Sequence, residues 1–405
     1  MTEGAGRANP GPIEFIVLMA LMVSLVALSI DAMLPALGEI GTDLGVARDN
    51  DTQWVVTALF LGLAVAQLLY GPLSDSIGRK PAIYLGMAVF VVGCLLSIFA
   101  TNFTVMLAGR VLQGIGAAGP RIVTVALVRD GYEGQAMARI MSFVMAVFIL
   151  VPALAPILGQ GILMVAHWRG IFVCFLALAV FASTWFAIRQ PETLAPDKRV
   201  GFSFKQTASA IVETGTNRTA FGYMLAAGLI FGAFVGYLNS VQQIFQVQYG
   251  LGAAFPFYFA VLALSIGCAS FLNARLVMRH GMRVLSRWAL QALSILSVVF
   301  LVAAVWQAGH PPLWTLMGYC LLSFFCLGIL FGNFNALAME PLGHIAGTGA
   351  AVVGSLTTFL SLVFGLMIGQ AYDGTVLPLI GGFAVLGVAA LLVMAWTERG
   401  RKFSQ

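Results

Sequence analysis

Charged residues are scarce in this sequence, and their scarcity narrows the class of protein. Asp, Glu, Lys and Arg make up 9% of the 405 residues, whereas 60% are hydrophobic. A soluble domain carries about 25% charged residues, so a soluble globular protein is excluded. The hydrophobic runs are about 20 residues long and continuous rather than alternating, which favours membrane-spanning helices over a β-barrel. We therefore expect an all-α integral membrane protein that lies in the lipid bilayer.

Cysteine and histidine are also few, and their positions exclude several kinds of site. All five cysteines fall inside hydrophobic runs, and all four histidines lie in or near loops. Neither set has the spacing of metal ligands or of a disulfide framework. The sequence also has no nucleotide-binding loop and no pair of carboxylates spaced for hydrolysis. We therefore expect no enzymatic activity, no metal and no cofactor.

Twelve hydrophobic runs are long enough to cross a membrane. They lie at roughly 13–37, 52–72, 82–100, 103–128, 140–165, 168–189, 220–247, 253–277, 288–307, 312–338, 347–371 and 377–397. Successive loops between these runs lie on alternate sides of the membrane. If the N-terminus is inside, the outer loops hold only two basic residues, Arg48 and Arg169. The inner segments hold Arg7, Arg79, Lys80, Arg129, Arg139, Arg189, Lys198, Arg199, Lys205, Arg218, Arg275, Arg279, Arg283, Arg287, Arg399, Arg401 and Lys402. Basic residues accumulate in cytoplasmic loops, so both termini are predicted to be cytoplasmic. The net charge of +5 follows from this one-sided distribution, so we expect no nucleic-acid partner.

The longest loop divides the runs into two sets of six. It covers residues 190–219 and is polar, so we predict one six-helix bundle at 1–189 and another at 220–405. A weak repeat supports this division, because residues 276–283 match 73–80, with Gly281 at the position of Gly78. Met278 stands where the first copy has Asp75. Duplicated halves imply a central cavity and alternating access.

The turn between the second and third runs is the most informative stretch of the chain. It spans residues 71–81 and holds one acid, Asp75, beside two bases, Arg79 and Lys80. The bases alone would suit any cytoplasmic loop. The whole pattern, Gly71-x-Leu73-x-Asp75-x-x-Gly78-Arg79-Lys80, resembles the signature loop between helices two and three of the major facilitator superfamily.

This resemblance implies that the turn acts as a conformational latch. In that family the acid meets the end of a helix in the other half and holds one access state. Here Gly71, Asp75, Gly78 and Arg79 would form the latch. We expect Asp130 and Arg139, between the fourth and fifth runs, to extend it; helix capping is the alternative role for Asp130.

Few ionisable residues lie well within the predicted spans, where charge is costly and therefore indicates function. Asp31 lies in the outer part of the first run, and Arg110 and Arg121 lie on one face of the fourth. The depths of Asp31 and Arg110 nearly match, so we predict a direct or water-bridged ion pair whose loss in one access state would let Asp31 take up a proton. The alternatives are that Asp31 reaches the outer interface and that Arg110 is a fixed anchor on backbone carbonyls.

Further motifs resemble those of drug:proton antiporters. Arg110-x-x-Gln113-Gly114-x-Gly116 resembles the fourth-helix motif associated with proton transfer. Pro152-x-x-x-Pro156-x-x-Gly159 resembles the antiporter motif, although Ser142, Ala146 and Val147 replace its usual glycines. Asp31 with Pro35-Ala-Leu, Gln53-Trp54, the 70–81 turn and Val128-Arg129-Asp130 together resemble the bicyclomycin/chloramphenicol-resistance branch. Arg121 is not part of the fourth-helix motif, and its role is open.

Candidate substrate contacts come from both halves. Asn239, Gln242, Gln243 and Gln246 follow the spacing of one helical face, so they line either the cavity or another helix. The first-half candidates are Asp31, Gln113 and Arg121; Tyr237 and Asn335 complete the second half. Candidate aromatic walls are Phe60, Tyr237, Phe245, Phe324, Phe325 and Phe331.

These observations predict a proton-coupled multidrug efflux antiporter of a bacterial inner membrane. It would be a monomer whose partners are protons and small, largely apolar substrates. The alternative is a transporter of one metabolite, such as a sugar, amino acid or nucleoside. The scarcity of charge favours the first, and the row of amides favours the second. A membrane receptor without transport is the third possibility, which the charges retained inside the spans oppose.

Overall fold

The computed structural model describes residues 10–399, and of Ala138 and Lys198 it describes the backbone alone. Arg7, Arg401 and Lys402 of the predicted topology lie outside this range. All regular secondary structure in the described range is helical. The α-helices are α1 Pro12–Asp31, α2 Leu37–Asp43, α3 Trp54–Ile77, α4 Arg79–Ile98, α5 Phe103–Gly131, α6 Gly134–Leu163, α7 Arg169–Arg189, α8 Phe204–Thr216, α9 Arg218–Gln242, α10 Phe255–His280, α11 Met282–Trp306, α12 Leu313–Met339, α13 Ala346–Gln370 and α14 Leu377–Glu398.

The number of membrane spans agrees with the prediction. Eleven helical segments are long and apolar enough to cross a membrane, and one of them, Leu313–Gln370, consists of α12 and α13. A short 3₁₀ turn, Glu340–Ile345, separates these two helices. The twelve spans are therefore confirmed, with α2 and α8 as additional short helices. We call the face that holds the start of α1 and the end of α14 the terminal face, and the face that holds α2 the distal face.

The predicted turn at 71–81 is much shorter than the sequence indicated. Helix α3 continues to Ile77 and α4 begins at Arg79, so Gly78 alone joins them. Gly78 has a φ of 107°, a conformation that suits glycine. The charged residues of the turn are therefore helical, and they cluster because two helix ends meet there.

The long helices pack in two groups on either side of residues 190–219. Helices α1 and α3–α7 contact one another, as do α9–α14, and the groups meet where α3 packs on α13 and α6 on α10. The predicted repeat is visible at Gly281, which joins α10 to α11 with a φ of 78°. The boundaries of the two halves as folding units stay a prediction.

Helix α5 lies close against both α3 and α4 because of glycines in the predicted fourth-helix motif. A Cβ on Gly114 would lie 2.0 Å from the carbonyl oxygen of Leu59, and one on Gly116 would lie 2.3 Å from the amide nitrogen of Phe90. Small residues allow this close backbone approach between helices in a membrane. The approach carries Arg110 into the interior, where its side chain is fully buried.

Candidate functional site

A cavity of about 340 Å³ lies between the two groups of helices. Its wall is mainly apolar and rich in aromatic rings, which are those of Phe60, Phe148, Phe231, Phe234, Tyr237, Phe259, Phe324, Phe331 and Phe334. The side chains that bring polar atoms are Asp31, Gln67, Arg121, Asn335, Thr357 and Thr358, besides the Tyr237 hydroxyl. An apolar wall with a few polar groups is typical of a binding site for small molecules.

The cavity extends toward the terminal face. Asp31, at the end of α1, and Tyr237, near the end of α9, line it close to the distal face. Asn335 lines it only four residues before α12 ends, about 6 Å by helix rise from the terminal end of that helix.

A cluster of amides joins the two halves at the distal face. Gln53 donates to Oε1 of Gln243 at 2.6 Å and to the carbonyl of Gly369 at 2.9 Å. Gln243 in turn donates to Oδ1 of Asn50 at 2.8 Å. Asn50 donates to the carbonyls of Gln370 and Tyr372 at 3.1 and 2.8 Å. We call these side chains, Asn50, Gln53 and Gln243, the distal amide cluster; it closes the cavity on this side.

The hydroxyl of Tyr372 donates to the carbonyl of Gln243 at 3.3 Å, within the second half, and so helps to position the residue that bonds to Gln53 and Asn50. Partial burial, followed by the nearby carboxylate of Asp373, raises the pKa of Tyr372. The phenol therefore keeps its proton across the physiological range. The groups that close the distal face are accordingly neutral.

Asp31 and Arg110 do not form the predicted ion pair. The guanidinium of Arg110 donates to the carbonyls of Ser29 and Val55, at 2.7 and 2.9 Å, and to Oε1 of Gln113 at 2.6 Å. Asp31 is 5% exposed, lines the cavity, and has no hydrogen bond or ion pair with any residue of the described range. Arg110 is therefore the anchor on backbone carbonyls that the sequence left as the alternative.

This anchor fixes the end of the helix that carries Asp31. The last four carbonyls of a helix lack partners within the helix, and Ser29 supplies one of them because α1 ends at Asp31. Across the same break, a Cβ on Gly159 would lie 2.1 Å from the carbonyl oxygen of Ala32, so α6 packs tightly against it. Pro152 lines the cavity, and Pro156 follows one turn later in α6. The proposed antiporter motif thus lies against the break beside Asp31.

The predicted latch residues form a cluster around Arg79 at the terminal face. Its guanidinium is 3% exposed and donates to Asp75 at 2.5 Å, Asp130 at 2.8 Å and the Ser74 hydroxyl at 2.8 Å. Asp130 therefore belongs to this cluster. Arg139 does not, because its side chain is exposed and bonds none of these residues.

In this conformation the Asp75 carboxylate has no hydrogen bond to the second half, within residues 10–399. It lines a separate pocket at the terminal face together with residues 345–348, where α13 begins. Gly71 faces α13 further along α3, where a Cβ would lie 3.9 Å from that of Ala351.

Glu192 is a member of this region that the sequence interpretation missed. Its carboxylate accepts hydrogen bonds from the backbone N–H groups of Arg79 and Lys80, each at 3.0 Å, and so caps α4. Thr193 donates through its hydroxyl to Asp130 at 3.2 Å. The available signal was the Pro191-Glu192-Thr193 start of the long loop, which we interpreted only as a boundary.

The predicted row of amides on the second half lies at the distal face and not in the cavity. Gln243 belongs to the distal amide cluster, Gln242 donates to Gln246 at 3.0 Å, and Asn239 donates to the carbonyl of Gly365 at 3.2 Å. The row begins in α9 and continues into a π-helix, Gln243–Gln248, so the α-helical spacing ends there. Asn239 and Gln243 therefore bond to other helical elements, which was the alternative in the sequence interpretation, whereas Gln242 and Gln246 bond to each other along one continuous helical run.

The other substrate candidates divide in the same way. Asp31, Arg121, Tyr237 and Asn335 line the cavity, whereas Gln113 is bound to Arg110. Of the aromatic candidates, Phe245 and Phe325 are not part of the cavity wall. Among the polar and aromatic residues of the wall, the sequence interpretation missed Gln67, Phe148, Phe231, Phe234, Phe259, Phe334, Thr357 and Thr358.

Comparisons with known proteins agree with this architecture. The chain is 29% identical over 390 residues to the bicyclomycin resistance protein homolog of Haemophilus influenzae, covering 93% of this chain and 94% of that protein. It is 27% identical over 399 residues to multidrug resistance protein D of Escherichia coli, covering 97% of each.

The fold also matches a solved structure. The xylose transporter XylE of E. coli, in a partially occluded inward-open conformation, superposes with a TM-score of 0.75 at 13% identity, over 97% of this chain and 99% of that one. At this identity the likeness concerns the fold alone. The family model of the Major Facilitator Superfamily matches residues 19–366. The chain therefore belongs to the Major Facilitator Superfamily.

Proposed function

We propose that this protein is a proton-coupled exporter of small, largely apolar compounds, with the terminal face in the cytoplasm. The observation that carries the proposal is an aromatic cavity that extends toward the terminal face and holds one carboxyl, Asp31, without a partner in the described range. The names of the bicyclomycin-resistance and multidrug-resistance relatives support export of drugs.

In this mechanism Asp31 carries the proton. It is the only acid among the described residues that line the cavity, and Arg110 holds its helix end without competing for the carboxylate. A proton would reach Asp31 when the distal face is open to the periplasm. A substrate entering from the terminal face would then displace it, which couples export to proton entry.

The two faces supply the switch between access states. Breaking the distal amide cluster would open the distal face. In the opposite state, Asp75 would meet the start of α13, which lies across the pocket that both line. The Arg79 cluster would keep the carboxylate of Asp75 in position for that contact.

The alternative of a transporter for one metabolite loses its main argument. It was favoured by the row of amides on the second half, and those amides are hydrogen-bonded to protein groups at the distal face, outside the cavity, instead. The cavity wall is mainly apolar and rich in aromatic rings, which suits varied apolar compounds better than one heavily hydroxylated metabolite.

The test is substrate-driven proton movement in proteoliposomes. In proteoliposomes with an acidic interior, chloramphenicol added outside should enter in exchange for protons through wild-type protein whose terminal face is outside. The proton gradient should therefore collapse, and Asp31→Asn should abolish this response. Asp197→Asn is the matched control, because Asp197 is exposed in the loop at the terminal face. An undiminished response in folded Asp31→Asn protein would move the coupling site elsewhere.

A further inference from the structure

We propose that Arg121 selects substrates by charge, so that the cavity accepts aromatic compounds with an anionic or hydrogen-bond-accepting group and excludes aromatic cations. This inference rests on the proposed function, because it takes the cavity to be the transport site. It concerns the class of substrate, which proton coupling through Asp31 leaves open.

The first observation is that Arg121 lines the cavity without a partner in the described part of the chain. It forms no hydrogen bond, ion pair or ring contact there, and its residue is only partly exposed. Arg110, on the same helix, uses its guanidinium for three hydrogen bonds. A guanidinium that is withdrawn from water and left unpaired is costly, so its retention indicates a ligand that pairs with it.

The second observation is the separation of Arg121 from Asp31. Arg110 touches the carbonyl of Ser29, two residues from Asp31, so these groups lie at one level. Arg121 lies eleven residues further along α5, which is about 16 Å by helix rise. The two charged groups therefore stand at opposite ends of the cavity, too far apart to neutralise each other.

The third observation is the wall between these ends. Phe231, Phe234 and Phe331 contact one another at ring-centroid distances of 5.4–5.9 Å and all line the cavity. A ligand ring can pack on this cluster while a carboxylate, sulfonamide or carbonyl on the same ligand reaches Arg121. Arginine presents a planar set of donors that matches such acceptors, and it repels a cation in a site with little water.

The experiment uses three ligands with the same phenyl-substituted four-carbon chain and a different end group: 4-phenylbutanoate, 4-phenylbutanamide and 4-phenylbutylamine. Their binding to the full chain in nanodiscs of zwitterionic lipid is measured by calorimetry at pH 7, where the first is an anion and the last a cation. For wild type we expect the acid to bind tightest and the amine weakest, with at least a tenfold difference between them.

In Arg121→Gln we expect that difference to shrink by about tenfold while the neutral amide binds as before. Arg121→Lys should keep the order, because it keeps the charge. Arg129→Gln is the matched control: Arg129 lies on the same helix, outside the cavity and at the terminal face, so the wild-type ratio should persist.

A second variant keeps the test valid if Arg121→Gln does not fold. Gln67→Glu places an acid in the cavity wall and should improve binding of the amine without altering Arg121. Equal binding of the three ligands by wild type, or an unchanged ratio in both folded variants, overturns the inference. These measurements need no proton gradient, so they are independent of the Asp31→Asn test of the proposed function.

Discussion

At the scale of single residues, Arg110 and Asp31 show how the same sequence motif can support two physical roles. An ion pair between them would make Arg110 part of proton exchange. The observed hydrogen bonds make it a positioning residue, because it satisfies carbonyls of Ser29 and Val55 that are buried with it. The two roles differ in what removal of the side chain does to stability.

We therefore predict that Arg110→Ala destabilises the protein. Two buried carbonyls would lose their charged donor, at about 1–3 kcal/mol each, so the free energy of unfolding should fall by about 2–6 kcal/mol. Thermal unfolding of the purified protein in detergent is the measurement, with Arg139→Ala as the control, because Arg139 is exposed and makes no bond in the described range. A folded Arg110→Ala protein with wild-type thermal stability and no proton-driven efflux would restore the ion-pair role.

The residues of the site could be predicted only in part. Asp31 and Arg121 were identifiable because charge inside an apolar run is conspicuous. The hydrogen-bond partners of Arg110 could not be predicted, because the spacing of residues gives their depth in the membrane but not the point where α1 ends. Helix α1 ends at Asp31, which leaves the Ser29 carbonyl without a partner in the helix. The aromatic residues of the wall could not be predicted either. The sequence has 30 phenylalanines, and nothing in it distinguishes those that line the cavity from those that face lipid.

At the scale of elements, the ends of helices were the least predictable feature. Twelve spans followed from hydropathy, but α3, α6 and α11 extend into stretches that the sequence interpretation treated as loops. Polar residues at these ends are bonded to one another or to the long loop, as Arg79 is to Asp130 and Glu192 to the start of α4. Hydropathy identifies the residues that lie in lipid and not the residues that are helical. A span predicted from hydropathy therefore ends where the charged residues begin, although the helix continues.

The two glycines that each join a pair of α-helices as a single residue, Gly78 and Gly281, allow a matched prediction. Gly78 (φ 107°, ψ 161°) and Gly281 (φ 78°, ψ 153°) both have a backbone conformation that is essentially restricted to glycine, so another residue there costs about 1–3 kcal/mol. A Cβ on Gly78 would in addition lie 2.7 Å from Oε2 of Glu192, whereas one on Gly281 would meet nothing within 4 Å. Gly78→Ala should therefore lower the thermal stability more than Gly281→Ala does.

The added variant Glu192→Ala separates two effects in this comparison: the cost of the backbone conformation at the glycine and the collision of the new Cβ with the Glu192 carboxylate. In a Glu192→Ala background the collision is absent, so the two glycine substitutions should have similar effects on thermal unfolding. The idea that Glu192 constrains the turn fails if Gly78→Ala and Gly281→Ala already cost the same in the wild-type background.

At the scale of the whole molecule, the orientation in the membrane is a prediction from the distribution of basic residues. In a variant without the five native cysteines, Asp197→Cys should resist an impermeant thiol reagent in intact cells. Asp49→Cys, exposed in the short 3₁₀ helix Asp49–Gln53 at the distal face, should react readily and serves as the control. Ready labelling at position 197 together with protection at 49 would reverse the orientation and, with it, the direction of export.

The balance between access states depends on the distal amide cluster, and Gln243 is its central member. Its side chain makes two hydrogen bonds to the first half, with Gln53 at 2.6 Å and Asn50 at 2.8 Å. At about 1 kcal/mol each, their loss in Gln243→Ala favours the distal-open state by about 2 kcal/mol, roughly a 30-fold shift in populations. Spin labels on Arg48→Cys and Gln307→Cys, exposed on opposite halves of the distal face, should therefore report longer distances.

Gln248→Ala is the matched control for this shift. It removes the same side chain from the same π-helix, but Gln248 donates to the carbonyl of Gly309 within the second half, so the distances should stay those of wild type. The shift in Gln243→Ala should also be the same at pH 6 and pH 8. The cluster consists of neutral amides, and the pKa of Tyr372 is raised, so its phenol stays protonated and its hydrogen bond persists until the pH rises above about 10. An unchanged distance distribution in Gln243→Ala would mean that apolar packing between α3 and α13, rather than these amides, holds the distal face closed.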